Sequence, residues 1–84
     1  MRTNKELLEL MLENQQDFHT GLCQWILSMF MRDRITTDEY YELKDYLKQN
    51  KPITFHGIFS AFWWRVGDIK PRIKWIKKHI KKLS

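Results

Sequence analysis

Residues 70–84 read KPRIKWIKKHIKKLS, and their spacing decides the architecture. At about 100° per residue, Ile73, Ile76, Ile80 and Leu83 fall within roughly 80° of one another, the single apolar stripe of an amphipathic helix. Lys74, Lys77, Lys78, Lys81 and Lys82 fall on the opposite side. Arg72, Trp75 and His79, at i, i+3 and i+7, occupy a border strip between the two faces. Pro71 suits the first turn of such a helix, where a missing N–H removes no intrahelical bond. The pattern predicts a basic C-terminal helix that packs one face on the protein and offers the other to an anionic partner.

Upstream the same period recurs. Thr3-Asn4-Lys5-Glu6 is a capping box, and Leu7, Leu8, Met11 and Leu12 follow at helical spacing with Glu6, Glu9 and Glu13 facing out. Asn14-Gln15-Gln16 ends or bends this first helix. Phe18, Leu22, Trp25, Ile26, Met29 and Phe30 form the stripe of a second, starting near Thr20 or running on from Asp17. Thr36-Thr37-Asp38-Glu39 is another capping box, and Tyr40, Leu43 and Leu47 make the inner stripe of a third helix, with Glu39, Lys44 and Lys48 outside. Pro52 biases Lys51 away from helical geometry and closes it.

Ile53–Val66 is ambiguous. Ile53 and Phe55 alternate with polar residues as a strand would, whereas Ile58, Phe59, Phe62, Trp63 and Val66 have helical spacing, which favours a short helix over about 56–65. The expectation is a single all-α domain over residues 1–84, a compact bundle of four or five short helices, with Phe55–Trp64 wedged between the second and last.

Composition fits an ordered chain. Apolar residues make up 43% of the 84, and five Phe, four Trp and three Tyr bury much area each, which offsets ordering entropy in a short chain. The lone Cys23 excludes an internal disulfide framework. The absence of a signal-peptide pattern and of any apolar run of roughly 20 residues points to a soluble cytoplasmic protein with no transmembrane segment. Charge is uneven: residues 70–84 hold seven bases and no acid, giving +7, while residues 1–69 hold eight bases and ten acids, giving −2. Such asymmetry implies a localised electrostatic role.

Chemistry for catalysis is sparse. His19, His56 and His79 lie in three segments without ligand spacing, whereas a zinc site needs about four convergent ligands, so no metal is expected. Cys23 and His19, at i and i+4, have the minimum spacing of a thiolate–imidazole pair, but no orienting acid accompanies them. No Gly-rich phosphate loop is present. The expectation is a protein that is not an enzyme and carries no cofactor.

The border strip is chemically richer than the lysines. A guanidinium, an indole and an imidazole on adjacent turns can stack on a base and clamp a phosphate. Trp64 and Arg65 would add an interface anchor beside them. The candidate ligand-binding residues are therefore Trp64, Arg65, Arg72, Trp75, Lys78, His79 and Lys82. The plainer readings are a solvated lysine face, Trp75 as a lid over the core, and Phe59, Phe62 and Trp63 as core residues. Were Trp63 and Trp64 both exposed, an anionic membrane surface would be a further partner.

Gly21-Leu22-Cys23, Arg34-Ile35-Thr36 leading into Glu39-Tyr40, and Trp63-Trp64 with Gly67-Asp68 and Pro71-Arg72-Ile73 together resemble small accessory proteins encoded by tailed bacteriophages. The resemblance spreads over about residues 18–83. It implies residence in the host bacterial cell and a role in blunting host defence, by docking on a defence protein or by sequestering a nucleotide signal. On this reading the chain captures an anionic nucleotide or nucleic acid, and an oligomer pooling several copies would bind a small ligand better than a monomer. The alternative is a protein inhibitor that lays its basic, aromatic face on an acidic host protein.

Overall fold

The computed structural model describes residues 1–19, 21–50 and 69–84. Among them the chain forms four α-helices and no strand: α1 (Asn4–Glu13), α2 (Leu22–Met31), α3 (Thr37–Asn50) and α4 (Ile69–Leu83), with a single 3₁₀ turn at Gln15–Asp17. The protein is a small all-α bundle, as the periodicity predicts. The expected helix over about 56–65, the Phe55–Trp64 wedge, and the candidate residues Trp64 and Arg65 lie outside the described residues.

The first helix starts where its capping box places it. The Glu6 amide donates to Thr3 Oγ1 at 3.2 Å, and the Thr3 amide donates to Glu6 Oε1 at 2.9 Å. Leu7, Leu8 and Met11 of α1 are fully buried, and α1 packs against α4, α3 and α2. It is the hub of the described core, joined by Leu22, Trp25, Ile26 and Met29 of α2 and by Leu43 and Leu47 of α3.

Asn14 ends α1, its backbone amide bonding to the Leu10 and Met11 carbonyls and its side-chain amide also donating to Leu10 O. Its own carbonyl accepts the indole N–H of Trp25 at 3.0 Å, so the end of the first helix and the core of the second are tied in one buried bond. Phe18 packs edge-on against the Trp25 ring at 5.3 Å. The second helix begins only at Leu22: Phe18 belongs to the connection, because the 3₁₀ turn at Gln15–Asp17 takes up the chain that periodicity alone would have made helical.

Asp17 is buried and accepts from two cations of the next turn, Arg32 Nη1 and Arg34 Nε, each at 3.2 Å. Those arginines flank Asp33, whose φ of 59° is left-handed. The Arg34 amide bonds to Met29 O and the Asp33 amide to Phe30 O, at 2.9 and 3.1 Å. This is the Schellman closure of a helix, with Asp33 at the position that glycine occupies at no steric cost.

Glu39 is a correction to the outward placement expected for it. It is 2% exposed. It completes the capping box of α3, accepting from the Thr36 amide at 2.9 Å while its own amide donates to Thr36 Oγ1 at 3.2 Å. Its carboxylate also accepts the Arg2 amide at 3.0 Å and the Arg2 guanidinium at 2.9 Å, from 37 residues away. A wheel sees the local bonds of a cap and misses the remote donor that makes burial affordable. Burial alone would raise the Glu39 pKa; the Thr36 and Arg2 amides, the Arg2 guanidinium and the Thr36 hydroxyl outweigh it and hold the carboxyl below 4.5.

Because the folded pKa is depressed, the stability that Glu39 contributes is present above about pH 4.5 and is lost as pH falls through the folded value. Glu39→Gln should cost roughly 1–3 kcal/mol at neutral pH, from three acceptor bonds weakened at a buried site, and should flatten the acid limb of a stability–pH curve measured by urea melts. Asp33→Gly should have the opposite sign, adding roughly 0.5–1 kcal/mol in the same melts by removing a left-handed non-glycine residue.

Candidate anion-binding face

The orientation of α4 decides what it can offer. Its buried residues are Arg72, Trp75, Ile76 and His79, whereas Ile73 and Ile80 are half-buried and Leu83 is 40% exposed. The inward direction is therefore turned by about 70° around the wheel from the centre of the isoleucine stripe. The expected border strip is the buried edge: Arg72 is 3%, Trp75 7% and His79 7% exposed.

Packing explains the rotation. The Trp75 and His79 rings stack on each other, with centroids 4.0 Å apart and planes 28° from parallel. Tyr46 reaches from α3 to meet His79 edge-on, its hydroxyl 2.9 Å from Nδ1. Burial first, then the charges of Lys82 and Lys78, holds the His79 pKa below 6.5. Burial likewise pushes the Tyr46 phenol above 10.0. Both shifts favour the neutral partners, and a phenol donating to Nδ1 of an imidazole protonated on Nε2 satisfies the buried pair. The ring faces that the sequence suggested for stacking on a base are thus turned to one another.

What α4 presents to solvent is its cations. Lys70, Lys74, Lys77, Lys78, Lys81 and Lys82 are all exposed. Lys74, Lys77, Lys78, Lys81 and Lys82 form no ion pair with any described residue. Lys78 and Lys82, expected in the ligand-binding set, belong to this outer row, while Arg72, Trp75 and His79 lie beneath it. The i,i+4 pairs Lys70–Lys74, Lys74–Lys78, Lys77–Lys81 and Lys78–Lys82 repel, at a cost of roughly 1–2 kcal/mol in total. Lys81 and Lys82 recover part of that beside the negative end of the helix. Ser84 closes that end, its hydroxyl donating to Ile80 O at 2.8 Å.

Elsewhere the i,i+4 spacing of His19 and Cys23 does not place the two on one helix. His19 is exposed and precedes α2, while Cys23 is half-buried in its first turn, so the two do not share a helix. Among the described residues, no group of three His, Cys, Asp or Glu side chains converges as a metal site requires, and no helix is long and apolar enough to cross a membrane. No protein-family model matches this chain, and neither a curated protein nor a solved structure matches it significantly.

The coupling between the lysine row and the buried imidazole is measurable. His79 should titrate below 6.5 by NMR, and Lys78→Glu should raise that value by replacing one repelling charge with an attracting one. In the parent protein the depressed pKa makes His79 a source of stability that is complete above about pH 6.5 and lost as pH falls towards the folded value.

Proposed function

We propose that the protein is a non-enzymatic binder of extended polyanions, which lays the exposed lysine row of α4 along a nucleic-acid backbone. The observation that carries this reading is the set Lys74, Lys77, Lys78, Lys81 and Lys82, exposed and without ion pairs to any described residue. From Lys74 to Lys82 the helix rises about 12 Å. Duplex DNA carries one phosphate per about 1.7 Å of axis, so every lysine in the row has a partner within reach. A convex helical face also suits the major groove, which admits an α-helix.

Ammonium groups alone position a backbone without reading bases, so little sequence preference is expected. A small nucleotide asks for more: a stacking platform and a pocket. Trp75 and His79 stack on each other beneath the row, which favours the extended partner over the small one. In the phage setting that the resemblance implies, the protein would act by sequestration. The second reading is an inhibitor docked on an acidic host protein, and it draws on Leu83, 40% exposed beside Lys82.

Fluorescence anisotropy with a labelled duplex tests the proposal. Five neutralised phosphates give a slope of log K against log salt of about −4.5, a loss of roughly 500-fold between 50 and 200 mM salt. The variant Lys74→Glu/Lys78→Glu/Lys82→Glu should abolish binding, with circular dichroism showing that the helices are retained. Unchanged affinity in that variant, or a flat salt response, would overturn the reading. A stoichiometric acidic protein captured by the parent and lost from the variant would favour the inhibitor.

A further inference from the structure

Beside the lysine row lies a groove of about 560 Å³ between α1 and α4. Leu10, Leu12 and Ile80 line it, all half-buried. Glu9 and Glu13 stand on the α1 wall and Lys77 on the α4 wall, all three exposed. None of the three forms an ion pair with a described residue. The surface therefore carries an acidic stripe and a basic stripe side by side, on two helices packed directly against each other.

Such a surface is complementary to itself. A two-fold axis running along the groove turns a second copy so that its basic stripe faces the first copy's acidic stripe, and the converse pairing follows by symmetry. The half-buried leucines and Ile80 then meet at the centre, inside a polar rim, the usual anatomy of an interface. We infer that the α1–α4 groove is an isologous dimer surface whose occupant is a second copy of this chain.

The size of the surface sets its strength. Helices of 10 and 15 residues are about 15 and 22 Å long and about 10 Å across, giving a shared face on the order of 400 Å². A standard interface buries about 800 Å² per partner, so this dimer is weak, dependent on concentration and sensitive to salt. On the wheel Lys77 lies towards the groove, whereas Lys74, Lys78 and Lys82 point away from it. A dimer thus keeps those three lysines of each copy open to a polyanion. The inference does not depend on the nucleic-acid reading and fails separately from it.

Sedimentation velocity on the full chain tests it, with circular dichroism to show that each variant is folded. The parent should associate reversibly at low salt and dissociate at about 1 M salt, where the Debye length falls to about 3 Å. Glu9→Lys/Glu13→Lys makes both stripes basic, and Lys77→Glu/Lys81→Glu makes the α4 stripe acidic like its neighbour. Each variant alone should lose self-association, and an equimolar mixture should regain it as a heterodimer. A parent that stays monomeric at low salt, an association indifferent to these substitutions, or a mixture that fails to pair would each overturn the inference.

Discussion

The contact between Tyr46 and His79, together with the packing of the last helix on α1, sets which way that helix faces. A buried imidazole needs a partner for its ring nitrogen, and the phenol of α3 supplies one at 2.9 Å. Once that bond is made, Trp75 stacks on the same ring and Ile76 falls into the core. The lysines are then left no direction but outwards. The electrostatic character of the surface thus follows from how the buried face of α4 packs on α1 and meets Tyr46 of α3.

The same logic runs through the rest of the bundle. A core this small leaves its polar groups close to the interior, and three of them are met by specific partners from elsewhere in the chain. The carbonyl that ends α1 takes the Trp25 indole, Asp17 takes two arginines from the following turn, and Glu39 takes both the amide and the guanidinium of Arg2. These bonds join segments far apart in the chain and fix the relative positions of helices that apolar packing alone would allow to slide.

Local chemistry was legible in the residues. Both capping boxes, the buried Leu7, Leu8 and Met11, and the exposure of the α4 lysines follow from short-range rules that hold in isolation. What was not legible depended on distant groups. Glu39 reads as a surface acid until Arg2 is placed against it. Arg72, Trp75 and His79 read as a border strip because a wheel ranks residues by apolarity, and isoleucine outranks histidine and arginine. In the folded chain the Tyr46 hydroxyl on His79 and the stacking of the Trp75 and His79 rings favour that edge for burial. Of the two starts that the sequence allowed for α2, the one near Thr20 agrees with the observed Leu22; the continuation from Asp17 fails because the 3₁₀ turn at Gln15–Asp17 interrupts the helical period that Phe18 would extend.

The row of like charges on α4 also gives salt two opposite effects. Added ions screen the repulsion among neighbouring lysines and so firm the helix. The same ions occupy the place of a polyanion and displace it. The helix is therefore best formed under the conditions in which it holds a partner least, and most strained where it has most to gain from one. An anion lying along it would relieve that strain directly, so occupancy would be registered as slower fraying of the final turns.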